Sequence, residues 1–227
     1  MRYLVLVTDY DGTMATAGKP ESAALTALER LRMSGRRAIL LTGRRVDDLL
    51  SVCPRLRLFD YVVAENGAVL YDPRTREHTL LGKPPPAEFV QRLRELTGNS
   101  IEVGKVVVAT WLPHHTAVLQ AIQEMGLELQ IVFNKDAVMV LPAGINKASG
   151  MDHALRKLGF SPHEAVGIGD AENDHSFLER CECAVAVANA LPAIRELAAF
   201  TTPGEAGQGV AEVIDELIAN DLSRMHG

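Results

Sequence analysis

The feature that most constrains this chain is a set of short apolar runs, each of strand length and each ending abruptly in polar or acidic residues. Leu4 to Thr8 runs into Asp9-Tyr10-Asp11-Gly12-Thr13, Ala38 to Leu41 into Thr42-Gly43, and Ala165 to Gly169 into Asp170-Ala171-Glu172-Asn173-Asp174. A strand that is apolar throughout, instead of alternating, belongs in a parallel sheet covered on both faces. Helical spacing fills the intervals: Ala24, Leu25, Leu28 and Leu31 are closed by Gly35, with Pro20 placed in the first turn, and Val46 to Val52 is broken at Pro54. Tyr61 to Ala64 reads as a third strand, returning through Ala68 to Tyr71 across the hairpin signal Asn66-Gly67. Strand and helix in alternation predict an α/β fold with a doubly wound, mostly parallel sheet.

The rhythm breaks in the middle, between Lys83-Pro84-Pro85-Pro86 and Pro142-Ala143-Gly144. Here Phe89, Leu93 and Leu96 mark a helix, Val103 to Thr110 reads as one strand, and Thr116 to Met125 as a second helix. Leu127 to Phe133 and Ala137 to Leu141 are expected to pair across Asn134-Lys135-Asp136, which makes this sheet antiparallel. The α/β rhythm then resumes with a helix over Lys147 to Leu158. The division expected is a core of residues 1–81 and 143–227 interrupted by a small inserted α+β cap domain at 82–142. At 227 residues the chain is long enough for a sizeable core and falls between one typical domain and two.

Composition narrows the partners. A net charge of −6 disfavours nucleic acid and anionic membrane, which select a basic face, and aromatics at 5% disfavour base stacking. No run approaches the roughly 18 uninterrupted apolar residues of a membrane span, and Arg2 to Val7 is too short for a signal-peptide core. Cys53, Cys181 and Cys183 are too few for a disulfide framework and lack partners for a zinc site, so a reducing cytoplasm is the expected compartment.

The strand ends carry the chemistry. Ligands of an open parallel sheet bind beyond the carboxyl ends of its strands, where Asp9, Asp11 and Asp170 are expected, with Asp174 four residues on. Gly12 lets the chain turn and brings backbone N–H groups towards a ligand, and Thr42-Gly43 offers a hydroxyl beside backbone donors at a helix start. Lys147 opens a helix against its macrodipole, an unfavourable place for a charge without a task. Carboxylates of this kind, with phosphate and water, suit a hard cation such as Mg²⁺. The set fits phosphoryl transfer: a carboxylate attacks phosphorus while cation, Lys, Thr and backbone donors hold the oxygens. Arg44-Arg45 would raise the local potential, with Asp47-Asp48 placed to screen them. Trp111 is expected to be a packing residue, His114 and His115 to lie on the surface, and Cys181 and Cys183 to be small buried hydrophobes.

Asp9-Tyr10-Asp11-Gly12-Thr13, Thr42-Gly43, Lys147 and Gly169-Asp170 with Asn173-Asp174 resemble the four motifs of the haloacid dehalogenase superfamily. The insert after the third strand, preceded by Glu65-Asn66-Gly67-Ala68, resembles the class-two capped, Cof-type phosphatases, which include sucrose-phosphate and archaeal phosphoglycolate phosphatases. The resemblance implies a Mg²⁺-dependent phosphatase acting on a small phosphorylated metabolite, a sugar phosphate or a phosphoglycolate-like acid. It implies Asp9 as the nucleophile that becomes an aspartyl-phosphate, and Asp11 as general acid and then base. It places Thr42, Gly43, Gly12, Lys147 and Asn173 on phosphate, and Asp9, Asp11 (through its carbonyl), Asp170 and Asp174 at the metal. A phosphomutase or phosphotransferase of the same superfamily is the alternative enzyme, and a phospho-acceptor module the non-catalytic one. The sequence sets no oligomeric state.

Overall fold

The computed structural model describes residues 1–134 and 136–223. Its main sheet has eight strands in the order Phe200–Thr201, Cys183–Ala186, Ala165–Gly169, Val5–Asp9, Arg37–Leu41, Tyr61–Ala64, Val69–Tyr71 and His78–Leu80. The first six run parallel, and the last two are joined on by successive antiparallel pairings. Every residue of Val5–Asp9 and of Ala165–Gly169 is buried, as strands covered on both faces must be. Helices Ser22–Met33 and Ala206–Asn220 pack on one another, while Lys147–Leu158 packs against Arg37–Leu41 and Tyr61–Ala64. The winding reverses at Val5–Asp9. Arg37–Leu41 and then Tyr61–Ala64 are added on one side, and Ala165–Gly169, Cys183–Ala186 and Phe200–Thr201 on the other. Such a reversal opens a crevice at the carboxyl ends. Asp9, Thr42 and Asp170 therefore stand at the ends of three adjacent strands.

A second sheet, antiparallel throughout, has the order Leu129–Asn134, Ala137–Pro142, Val108–Trp111, Glu102–Val103. Helices Ala87–Thr97 and His115–Met125 contribute Phe89, Leu93, Val118 and Ala121 to a hydrophobic cluster with Val108, Val138 and Val140 of the sheet. The intervening residues Ala109, Ala137 and Met139 line the cleft between this sheet and the main one. Period-two alternation thus separates the insert's own core from its cleft face. Lys135, in the turn expected to join two of these strands, lies outside the described residues. Among the described residues no helix is long and apolar enough to cross a membrane.

Three local expectations are corrected. Pro20 is not in a helical turn: Lys19–Pro20 pairs antiparallel with Ala15–Thr16, and the helix begins at Ser22. Proline's fixed φ suits a short edge strand as well as a first helical turn, and here the local pairing decides. Val103 to Thr110 is not one strand but two, Glu102–Val103 and Val108–Trp111, folded back on each other. The reason is tertiary: three backbone N–H groups of the intervening turn bond to the Glu65 carboxylate. Trp111 is not a packing residue, being 38% exposed and lining the cleft.

Gly150 lies where Lys147–Leu158 crosses the turn at Glu65–Gly67. A Cβ there would come within 2.4 Å of Val63 Cγ1 and 2.9 Å of Gly67 Cα. Alanine would gain up to about 1 kcal/mol of helix propensity, but forcing a methyl into packed backbone costs about 1–3 kcal/mol. Gly150→Ala is therefore expected to destabilise the fold by about 1–2 kcal/mol in urea unfolding, and a stabilised variant would contradict this packing.

Candidate active site

The Lys147 side chain is placed by a well-made helix start. The Asn146 carboxamide accepts from Ser149 N at 2.9 Å while Ser149 Oγ accepts from Asn146 N at 3.0 Å, a reciprocal cap on the first turn. Gly67 lets the neighbouring turn press against Asn146, since a Cβ on it would sit 1.9 Å from the Asn146 carbonyl. The Lys147 ammonium is then delivered into the sheet edge, 1% exposed, where it donates to Asp9 Oδ1 and Asp174 Oδ1, both at 2.5 Å.

Asp170 and Asp174 are set by the loop after Ala165–Gly169. Asp174 Oδ2 accepts from the backbone N–H groups of Asp170 at 2.9 Å and Ala171 at 3.1 Å, so this carboxylate shapes the loop as well as holding Lys147. It makes no side-chain bond to the helix His175–Leu178 that follows. Asp170 Oδ1 accepts from the Thr13 hydroxyl at 2.7 Å. Gly12 is required for this approach: its φ is +92°, and a Cβ would lie 2.3 Å from Asp170 Oδ2. One oxygen from each of Asp9, Asp170 and Asp174 falls within 4.8 Å of the others, all three buried. Three carboxylates against one ammonium leave an excess of buried negative charge, which hard oxygen donors resolve by holding a cation. The donor set fits a metal ion.

The rest of the predicted set lies around this cluster. Thr42 is fully buried and its hydroxyl accepts from Arg44 N at 3.1 Å, with Gly43 open to the cleft. Asn173 also lines the cleft and donates to Asn66 Oδ1 at 3.1 Å. The Asp11 carboxylate is not drawn into the Asp9 cluster. The Arg44 guanidinium forks onto it at 2.6 and 2.7 Å, while Arg45 forks onto Asp48 at 2.8 Å. Of the two arginines, therefore, only Arg45 forks onto the acidic pair that follows. The cleft has a volume of about 610 Å³, room for a small metabolite, and reaches from Asp9 and Asp11 to Trp111 and Met139.

Sequence reasoning named Glu65 only within the run Glu65-Asn66-Gly67-Ala68, with no role of its own, and did not single out Asn189. Asn189 donates to the Gly12 carbonyl at 2.7 Å and accepts from Ala206 N at 2.7 Å, pinning the Asp9 loop to the last long helix. Its signal would have been an Asn after a buried strand, which is too common to stand out. Glu65 is 2% exposed on a polar turn, and only burial reveals it.

Burial pushes the Asp9 carboxyl well above the usual carboxylate range, with the charges of Asp174 and Asp170 adding to the effect against the pull of Lys147. Burial alone would lower Lys147, but the attraction of Asp174 and Asp9 overcomes it and raises the ammonium above its ordinary value. The residue types, their order and this buried ion cluster agree with a comparison to known families. The family model described as haloacid dehalogenase-like hydrolase matches residues 6–99 and 96–214. The chain belongs to this family. A phosphoglycolate phosphatase of Methanothermobacter thermautotrophicus is 29% identical over 217 residues, covering 92% of this chain and 96% of that protein. A phosphoglycolate phosphatase of Pyrobaculum aerophilum is 30% identical, covering 95% and 96%. Among solved structures, a haloacid dehalogenase-like hydrolase from Bacteroides thetaiotaomicron superposes with a TM-score of 0.79 at 19% identity, covering 95% of this chain and 99% of that one. A subclass IIB sugar phosphatase of the superfamily superposes with a TM-score of 0.73 at 17% identity, covering 94% and 98%. These last two similarities show that the fold is shared over nearly the whole chain.

The raised Asp9 has a thermodynamic consequence in the metal-free protein. The folded chain holds a proton on Asp9 at pH values where an unfolded chain, with a carboxyl near 3.9, has lost it, so stability falls as pH rises through that window. Asp9→Asn keeps an acceptor for Lys147 and lacks this group. In excess chelator at neutral pH it is expected to melt a few degrees higher than wild type, ~1 kcal/mol being worth roughly 2–4 °C at this size, with the gap closing towards pH 4. Thermal melts across pH check this, and a wild-type chain that is the more stable at pH 7.5 would contradict it.

Proposed function

We propose that the protein is a Mg²⁺-dependent phosphatase of the cytoplasm, hydrolysing a small phosphomonoester by way of an aspartyl-phosphate on Asp9. The observation that carries this reading is the buried Lys147 ammonium bridging Asp9 and Asp174 beside Asp170, 2.5 Å from each of its two partners. The relatives named phosphoglycolate phosphatase, matched over more than nine-tenths of the chain, support the same chemistry. Three free, buried cysteines suit a reducing compartment.

In this reading Asp9 and Asp170 would hold Mg²⁺ together with the Asp11 backbone carbonyl, and Asp174 supports the site from behind. The ion supplies positive charge that lets a phosphate dianion approach carboxylates. An Asp9 oxygen attacks phosphorus, the ester P–O bond breaks, and the departing oxygen takes its electron pair and a proton from Asp11. The Arg44 fork has to open as the leaving group enters. Water then loses a proton to Asp11 and attacks phosphorus, so that Asp9 departs as a carboxylate and phosphate is released. Lys147 stays charged throughout, holding Asp9 in line and meeting the phosphoryl oxygens with Thr42, the backbone N–H groups of Gly12 and Gly43, and Asn173.

Inorganic phosphate release from p-nitrophenyl phosphate, and from a panel of phosphorylated metabolites, tests the reading directly. Activity is expected to require Mg²⁺, to vanish in excess chelator, and to fall by about a thousandfold or more in Asp9→Asn, which removes the nucleophile. Full activity in that variant would exclude the covalent route. Phosphate moving to an added sugar without net release would favour a phosphotransferase.

A further inference from the structure

We infer that Glu65 is a positioning residue that tethers the insert over the cleft and couples its position to the phosphate-side loops. The inference rests on the reading of the cleft as a phosphatase active site. Glu65 follows the strand Tyr61–Ala64 with φ +50°, a left-handed conformation uncommon for a side chain of its size. Its carboxylate leaves the main body and enters the insert, where Oε1 accepts from Lys105 N at 2.8 Å and Oε2 from Val106 N and Val107 N, both at 2.9 Å. Three successive N–H groups converging on one anion form a nest, filled here by the protein's own carboxylate. Gly104 makes room for it, since a Cβ there would stand 2.5 Å from Glu65 Oε2.

The packing divides at this turn. Val106 and Val107 join the hydrophobic core of the main sheet, whereas Val108, the next residue, joins the insert's own cluster. The insert is therefore held to the main body at this turn as well as at the two segments where the chain enters and leaves it. The same short turn grips the other side of the cleft through its backbone. Glu65 N donates to the Arg44 carbonyl at 3.0 Å, Asn66 N to the Thr42 carbonyl at 2.9 Å, and Asn66 Oδ1 accepts from Asn173. Displacing the insert breaks charge-assisted hydrogen bonds to Glu65 and disturbs the residues proposed to hold phosphate. Glu65 itself touches no reacting atom in this scheme. It acts through the wall it fixes, and its removal weakens substrates whose leaving groups reach that wall.

Two variants and two readouts test the tether. In Glu65→Ala the amides of Lys105, Val106 and Val107 are expected to exchange hydrogen about a hundredfold faster, since their protected acceptor is gone. Glu65→Gln keeps the side-chain volume but replaces one acceptor oxygen with a donor, so its effect is intermediate; it carries the test if the Ala variant does not fold. In kinetics, kcat/KM for a hexose 6-phosphate relative to acetyl phosphate is expected to fall about tenfold in Glu65→Ala, mainly through KM, with partial recovery in Glu65→Gln. Wild-type exchange at those amides, or equal proportional losses on both substrates, would overturn the tether. A wild-type protein that releases phosphate from p-nitrophenyl phosphate and from every member of the metabolite panel at no measurable rate would instead overturn the phosphatase reading, while amide exchange still decides the contact.

Discussion

The Lys147 ammonium lies between Asp9 and Asp174 at 2.5 Å from each, with 1% of its side chain exposed. A charge buried this deeply is tolerated only when its partners are fixed. The partners come from three separate elements: the end of Val5–Asp9, the turn after Ala165–Gly169, and the start of Lys147–Leu158. The ion cluster thus joins the segments before and after the insert and cannot form until the parallel sheet has brought them together. It is also incomplete on its own terms, since Asp170 adds a third buried carboxylate to a single cation. That imbalance suits a cation better than a purely structural salt bridge would.

Much of this was legible in the chain because parallel strands buried on both faces declare themselves as unbroken apolar runs. Val5–Asp9, Arg37–Leu41 and Ala165–Gly169 were readable together with the residues that end them. Lys147–Leu158 was readable too, between a breaker cluster and Gly159. What escaped depends on contacts distant in sequence. The fold-back at Glu102 to Trp111 carries an apolar stretch that mimics one strand, and only the Glu65 carboxylate, some 40 residues earlier, explains the turn. The fork of Arg44 onto Asp11 was hidden in the same way, because Asp47 and Asp48 were nearer in sequence and equally plausible partners.

The insert shows how one wall of the cleft is built from ordinary strand geometry. On Ala137–Pro142 the side chains alternate, with Val138 and Val140 packed under the helices and Ala137 and Met139 facing the cleft. Trp111 lies opposite Ala137 in register and extends that face. The result is a wall of small and soft apolar groups with one exposed aromatic. The sequence pattern contains this alternation, but the face that lines the cleft follows only once the register is known.

In the proposed function the acidic strand ends form one divalent cation site with Asp170 as a ligand. Isothermal titration calorimetry of metal-free protein with Mg²⁺, comparing wild type with Asp170→Asn, tests it most directly. The account predicts one ion bound per wild-type chain and an affinity weakened by about a hundredfold or more in the variant. Wild-type affinity in Asp170→Asn, or no Mg²⁺ bound by the wild-type chain, would contradict it.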